Sequence, residues 1–221
     1  MNDFVTKKYY ETDKGEVGTF EVYYDDESPR EMYDNAGRLY IEWGRTKDHY
    51  GDDFNGKNLC QIIYEYAEKY SNLTDQELME TSFVDMIKHM NAHCSDKIAI
   101  FPVYGYEHSG FTVSMGNGYP YNDRFDGGTA GFIFVTKERC EEMGADFQKA
   151  KEIAEAEVKE FDMYLQNEVY VVVTSEESIG GCFSDKYGDD LVKDLAGMVG
   201  LESKEFYDSL EELESSAKEL E

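Results

Sequence analysis

The chain has 221 residues, of which 48 are acidic and 21 are basic, so its formal net charge is −27 at neutral pH. This surplus repels polyanions and anionic lipid, which argues against direct nucleic-acid binding and against a place at a membrane. Because 41% of the residues are hydrophobic, the chain can fill a core and is not a disordered acidic tail.

The first third of the chain has the pattern of a strand meander followed by helices. Residues 17–24 and 38–43 are rich in β-branched and aromatic side chains, and turn-forming residues flank both segments. Apolar residues then recur at helical spacing over residues 59–70. Thr74 and Glu77 have the spacing of a capping box, which predicts a second helix and hence a helical hairpin over about residues 56–93.

The middle of the chain alternates between strand and helix patterns. Residues 97–104 form an apolar run typical of a strand buried on both faces, and residues 111–115 and 131–136 predict two more strands. The glycine- and tyrosine-rich segment 116–128 is either a functional loop or a plain surface excursion. A helix over 145–166 and a strand over 168–174 follow. The sequence therefore predicts an α+β fold with a central mixed or antiparallel sheet and flanking helices.

The C-terminal segment is strongly acidic. Residues 188–221 contain 11 acidic and 3 basic residues, a local charge of −8. One narrow apolar stripe crosses them at steps of four and three, and it consists of Phe206, Leu210, Leu213, Ala217 and Leu220. Two heptads are too short for a coiled coil, so packing on the protein's own body is favoured over dimerisation, with monomer and homodimer both open. We predict a core over residues 1–187 and an acidic helical segment over residues 188–221.

The cysteines and the chain start favour a reduced, cytoplasmic protein. Cys60, Cys94, Cys140 and Cys182 are widely spaced and form no C-x-x-C pair, and residues 1–11 are too polar for a secretory segment. No apolar run approaches the roughly 20 residues that span a bilayer. We therefore expect free thiols and no membrane segment.

One group of residues favours a hydrolase or a metal-dependent enzyme as an alternative function. A histidine near neutral pKa and carboxylates that hold a cation can activate water. The competing interpretation is that the histidine and its neighbours only shape a turn. The candidate catalytic residues are His108, Asp126 and Cys182; Glu107 and Ser109 flank His108 in the sequence, and the fold is expected to bring Asp123, Asp126 and Cys182 to it.

Other motifs for metals and nucleotides are incomplete. His89 and His93 are four residues apart, but the glutamate of a zincin helix is absent, because Met90 follows His89. A helix-terminal role suits these histidines better. The aspartate-rich segments lack the calcium-loop pattern, and no glycine-rich segment continues into a phosphate loop. We therefore predict no metal and no cofactor.

Three motifs in one order resemble a known family. Residues 106–110 read Tyr-Glu-His-Ser-Gly, residues 125–136 read Phe-Asp-Gly-Gly-Thr-Ala-Gly-Phe-Ile-Phe-Val-Thr, and residues 181–188 read Gly-Cys-Phe-Ser-Asp-Lys-Tyr-Gly. They resemble the Tyr-Asp-His-Ser-Gly, Trp-Asp-Ser-Gly-Gln-Val-Gly-Phe-Ile-Tyr-Val-Ser and Ser-Cys-Trp-Gly-Phe-Tyr-Gly motifs of acidic proteins encoded by bacteriophages and mobile elements. The turn at residues 33–37 is similar too, so the resemblance covers about residues 33–188.

This resemblance implies a small phage protein that is made inside a bacterium and blocks host defence. The sequence departs from the family pattern at Glu107, Gly127 and Thr129. Because Gly127 stands where the family has a serine, hydroxyl-based chemistry is not expected at that position.

Charge and resemblance together predict an inhibitor that mimics DNA. Its carboxylates would occupy the basic groove of a nucleic-acid-binding host protein, such as a CRISPR effector or a restriction enzyme. A surface of about 10,000 Å² gives about 400 Å² per net charge, whereas duplex DNA has about 100 Å² per charge, so the acids must gather on one face. The predicted partner-binding residues are Asp25, Asp26, Glu27, Glu152, Glu155, Glu160, Asp208, Glu211 and Glu212.

Overall fold

A computed structural model describes residues 3–32, 34–108, 110–116 and 126–219. In these ranges the strands are β1 (Phe4–Glu11), β2 (Val17–Tyr24), β3 (Gly37–Trp43), β4 (Asp48–Gly51), β5 (Ile98–Glu107), β6 (Phe111–Ser114), β7 (Gly127–Thr136), β8 (Val169–Thr174) and β9 (Ser178–Phe183). The helices are α1 (Pro29–Met32), α2 (Leu59–Tyr70), α3 (Asp75–Glu80), α4 (Phe83–His93), α5 (Lys137–Met143), α6 (Ala150–Leu165), α7 (Gly188–Met198) and α8 (Leu210–Glu219), with a 3₁₀ turn at Phe147–Lys149.

The chain folds into two compact units. Unit 1 comprises Met1–Ser28 and Asn167–Glu221, and unit 2 comprises Pro29–Gln166. This division differs from the boundary expected between residues 187 and 188. The physical reason is that α7 buries its apolar side chains in the core of unit 1 and is not a separate segment.

Unit 1 is built on a four-stranded antiparallel sheet in the order β1-β2-β8-β9. Alternate residues of β2, Phe20 and Val22, are fully buried, as the pleat of a one-sided sheet requires. Leu191 and Leu195 of α7 belong to the same buried cluster. Leu213 of α8 is also buried, Phe206 packs against the same cluster, and α8 contacts β1, so this part of the C-terminal stripe packs on the protein's own body. Leu210 is exposed, and the side chains of Ala217 and Leu220 lie outside the described residues.

Unit 2 is built on a five-stranded antiparallel sheet in the order β4-β3-β7-β5-β6, with helices on both faces. On one face α6 packs against Ile133, and on the other α2 and α4 pack against Phe134. Ile133 and Phe134 are consecutive residues of β7 and belong to the apolar clusters on opposite faces of the sheet. The central strands are therefore buried on both sides, as the apolar run in β5 predicts.

Much of the expected fold is confirmed. The class is α+β, the sheets are antiparallel with flanking helices, and the Thr74–Glu77 capping box is present. Two sheets replace the single central sheet, and the helix expected from residue 74 is interrupted after α3. Ser82 caps a new helix there, α4. None of the helices in the described part of the chain has the length and apolar character that a bilayer crossing requires.

A buried ion network fixes the entry of β3 in unit 2. The guanidinium of Arg30 donates to Asp52 Oδ2 at 2.7 Å and to Glu157 Oε2 at 2.8 Å, and only 1% of its side chain is exposed. Glu157 Oε1 also accepts from the backbone amides of Ala36 and Gly37. These bonds satisfy the carboxylates that burial would otherwise penalise, so charge in this region serves the fold.

Candidate acidic interface

The negative surplus is concentrated in unit 1. Unit 1 has 23 acidic and 7 basic residues among its 83 residues, a net charge of −16. Unit 2 has 25 acidic and 14 basic residues among its 138 residues, a net charge of −11. The smaller unit therefore carries more than half of the surplus and only a third of the basic side chains.

One lysine of unit 1 holds two carboxylates from distant parts of the chain. Lys8 Nζ donates to Asp208 Oδ1 at 2.6 Å and to Asp189 Oδ1 at 3.1 Å. The lysine side chain is 12% exposed, whereas those of Asp189 and Asp208 are 83% and 75% exposed. The hydrogen bond to Asp208, and then that to Asp189, raises the pKa of Lys8. The ammonium thus lies beneath two carboxylates that face solvent.

Local structure explains how these two carboxylates meet. Tyr207 pairs with Tyr9 through two backbone hydrogen bonds of 2.9 Å, which places Asp208 next to the strand that carries Lys8. Asp189 lies in the first turn of α7, whose apolar face is fixed in the core. An acidic residue at a helix N-terminus also stabilises the helix itself, so its position has a structural benefit as well.

Further exposed carboxylates belong to α7, which carries Asp189, and to α8, which follows Asp208. Asp190 follows Asp189 in α7, and Glu211, Glu212 and Glu214 are exposed on α8. The side chain of Glu212 accepts from the backbone amide of Asp208 at 3.0 Å, so it partly serves as a cap. Lys8 joins Asp189 to Asp208, and Glu212 contacts Asp208, whereas Asp190, Glu211 and Glu214 are grouped with them as exposed acids of the same helices. We call the carboxylates of Asp189, Asp190, Asp208, Glu211, Glu212 and Glu214 the unit 1 acidic cluster.

The structure separates the other predicted partner-binding residues. Asp25 is buried, and its carboxylate accepts from the backbone amides of Glu27 at 3.1 Å and Gly181 at 2.9 Å, so it stabilises unit 1 from within. Asp26 and Glu27 are exposed.

The predicted residues of α6 belong to unit 2 and differ in environment. Glu152 and Glu155 are exposed, and Glu155 pairs with Lys151 at 3.4 Å. Glu160 is half-buried, and its pKa is raised first by desolvation and second by the neighbouring Glu157. Burial makes Glu160 the least accessible carboxylate of this group.

The alternative catalytic residues are distributed over both units. His108 and Asp126 lie in unit 2, with 3.6 Å between Nδ1 and Oδ2, and the histidine side chain is 72% exposed. Glu107 accepts from the indole of Trp43 at 2.9 Å, which is a structural contact. Ser109 and Asp123 lie outside the described residues.

Cys182 belongs to unit 1, where it is buried. Burial first, and the carboxylate of Asp25 second, raise the pKa of this thiol. A raised pKa disfavours the thiolate that a nucleophile or a metal ligand requires, so this cysteine has the properties of a core residue.

The two histidines of α4 lie close to each other. The ring centroids of His89 and His93 are 4.8 Å apart. Within the described ranges, no group of three or more histidine, cysteine, aspartate or glutamate residues could hold a metal ion.

Sequence reasoning missed Lys8 as the cation beneath the acidic cluster, and it did not predict Asp189, Asp190 and Glu214 as partner-binding residues. Charge composition predicts that a cluster exists, but the pairing of Tyr9 with Tyr207 is needed to locate it. Comparisons with models of protein families, with curated proteins and with solved structures gave no match.

Proposed function

We propose that the protein is a phage-type inhibitor that occupies the basic groove of a nucleic-acid-binding host defence protein, such as a CRISPR effector or a restriction enzyme. The unit 1 acidic cluster carries this proposal, because its carboxylates face solvent and come from a unit with a net charge of −16. Exposed carboxylates held close together, as those of Asp189 and Asp208 are on Lys8, offer a basic groove negative charge of the kind that a phosphate backbone offers.

An estimate of charge density supports a local rather than a global mimic. Treated by itself, a unit of this size has a surface of about 5,000 Å² from mass scaling, or about 300 Å² per net charge. Duplex DNA has about 100 Å² per charge. Unit 1 has more net charge per unit of surface area than the chain as a whole but less than duplex DNA. Binding therefore depends on the part of its surface where the acidic residues are concentrated.

The test is capture of basic proteins from a bacterial lysate over a range of salt concentrations. Added duplex DNA must release the bound protein, because DNA and the inhibitor compete for one groove. The amount of bound protein must also fall steeply as the salt concentration rises, because salt screens the charges that form the contact. A partner that stays bound in excess DNA would contradict occupation of a nucleic-acid groove.

Two matched variants locate the interface. The first removes three exposed carboxylates of unit 1 that have no side-chain partner in the described structure, by Asp190→Asn, Glu211→Gln and Glu214→Gln. The second removes three exposed carboxylates of unit 2 by Glu31→Gln, Glu68→Gln and Asp96→Asn. Both lower the net negative charge by three, so only a specific role of unit 1 makes the first variant bind more weakly than the second.

A further inference from the structure

Unit 2 contains a cavity of a size suited to a small molecule. It lies between the face of β3 and β7, helix α2 and helix α5, and its volume is about 390 Å³. Pockets for small ligands are typically about 300–1,000 Å³ and combine aromatic surface with a few polar groups. The unit 1 acidic cluster contributes nothing to this cavity, so its ligand is a question separate from the proposed function.

Aromatic side chains form one wall. Tyr66 stacks on Phe134 with 4.3 Å between ring centroids and 19° between the ring planes, and Tyr40 meets Phe134 edge-on. Desolvation is the main cause that raises the pKa of both Tyr40 and Tyr66. Both tyrosines are therefore neutral at physiological pH, and their rings offer flat, rigid contact surface.

The charge of the lining is the reverse of that of the chain. Four lining residues are basic and three are acidic, which leaves an excess of one positive charge in a protein whose net charge is −27. The basic residues are Arg38, Lys57, Lys69 and Arg139, and the acidic residues are Glu65, Glu138 and Glu142.

Most of these charges are already paired at the surface. Lys57 bonds Glu65 at 2.8 Å and Lys69 bonds Glu138 at 2.6 Å, and all four side chains are well exposed. Exposed pairs of this kind contribute little stability, so a ligand can compete for their cations at small cost.

Arg38 is the cation best placed for a ligand. Its Nη1 donates to Asp52 Oδ1 at 3.0 Å, and 42% of its side chain is exposed. In the described structure its other two guanidinium nitrogens make no hydrogen bond to protein. A guanidinium that is fixed on one side and open on the other matches the fork geometry of a carboxylate or phosphate.

We propose that this cavity binds a planar aromatic ring that carries a carboxylate or a phosphate group. The ring contacts the wall formed by Tyr40 and Tyr66, and the anionic group accepts from Arg38 with support from Lys57. Aromatic contact and charge then both contribute, so neither part of the ligand alone binds as well as the whole.

Isothermal titration calorimetry with four probes tests whether the ring and the anionic group both contribute to binding. AMP and 2-naphthoate present an aromatic ring with a phosphate or a carboxylate, whereas adenosine lacks the anion and inorganic phosphate lacks the ring. We expect at least one of the two aromatic anions to bind at least about tenfold more tightly than adenosine and phosphate. Which of them binds identifies the anionic group. Equal binding of adenosine or phosphate, or no binding of either aromatic anion at millimolar concentration, would overturn the proposal.

Variants assign the binding to this cavity. Arg38→Gln should weaken the aromatic anion about tenfold, because it removes a charge-assisted hydrogen bond. Arg45→Gln is the matched control, since Arg45 is exposed and outside the lining, and it should leave affinity unchanged. If Arg38→Gln fails to fold by circular dichroism, Lys57→Gln takes its place, because it breaks only an exposed pair, and a several-fold loss is expected. Unchanged affinity in a folded Arg38→Gln protein would place the ligand elsewhere and overturn the assignment.

Discussion

The two units use charge in opposite ways. In unit 2 the best-buried charges neutralise one another, as when Arg30 bridges Asp52 and Glu157 beside the first residues of β3. In unit 1 the central cation, Lys8, is covered, but its two partners face solvent, and the unit has more than three acidic residues for each basic one. In unit 2 the buried ion pairs stabilise the fold. In unit 1 the carboxylates outnumber the basic side chains, so most of their negative charge is available to solvent or to a partner.

This contrast also separates two meanings of an acidic composition. Self-repulsion among exposed carboxylates lowers stability, and it is tolerated where it has a use or where it only keeps a protein soluble. Removal of a buried charge in unit 2 should therefore change mainly stability, and removal of an exposed carboxylate in unit 1 should change mainly the binding of a basic partner. Substitutions at Arg30, Lys8 and Glu160 change one side of that contrast at a time.

The largest expected effect is on the buried network of unit 2. Arg30→Met leaves the carboxylate of Glu157 buried without its cation and leaves Asp52 with only the partly exposed Arg38, so we expect a loss of about 3–5 kcal/mol in the free energy of unfolding. Urea unfolding followed by the fluorescence of Trp43 measures it, because this single tryptophan lies on β3 of unit 2.

Arg45→Met is the control for that substitution, because Arg45 is exposed. It should change the free energy of unfolding by no more than about 0.5 kcal/mol. A similar loss in both variants would mean that removal of any arginine destabilises this acidic protein, and the role given to the buried network would be wrong.

A smaller loss in the free energy of unfolding is expected when Lys8, the cation that pairs two carboxylates in unit 1, is replaced. Lys8→Met leaves Asp189 and Asp208 in solvent, so we expect a loss of about 1 kcal/mol or less. Alkylation of Cys182 during urea unfolding reports on unit 1, because this buried thiol is the single cysteine in that part of the sequence. A loss as large as that from Arg30→Met would show that the two units do not differ in this respect.

The smallest effect concerns the half-buried carboxylate of Glu160. Because desolvation and then Glu157 raise its pKa, its ionised form is less favourable in the folded than in the unfolded state. Glu160→Gln should therefore add a few tenths of a kcal/mol at pH 7. The gain should vanish as the pH falls below the usual glutamate pKa of about 4.3, where both states are protonated. Glu152→Gln, on the exposed face of the same helix, should show no such gain when the melting temperature is followed with pH.

Local patterns made several elements predictable and left others hidden. The boundaries of β2 follow from its β-branched and aromatic residues and the turns around it, those of α2 follow from helical spacing, and both match the structure. Strand β1 was not predicted because its lysines and the polar residues around it hide the alternation. Its Lys8 is compatible with a mostly covered position only because Asp189 and Asp208 come to it from about 180 and 200 residues away.

The unit boundaries depend on a pairing that no local pattern reveals. Strand β2 pairs with β8, so Phe20 lies opposite Thr174, and the chain returns to its first unit after residue 166. That pairing assigns Cys182 to unit 1, whereas His108 belongs to unit 2. For the same reason the sequence predicts an acidic surface but not that most of its surplus belongs to unit 1.

The most direct test is the salt dependence of binding to one captured partner, measured for the two neutralised variants side by side. If the acidic cluster of unit 1 forms the interface, the variant with Asp190→Asn, Glu211→Gln and Glu214→Gln binds more weakly and with a shallower salt slope than the unaltered protein. The unit 2 variant with Glu31→Gln, Glu68→Gln and Asp96→Asn then keeps both affinity and slope. Equal losses in the two variants, which carry the same net charge, would contradict a specific role for unit 1.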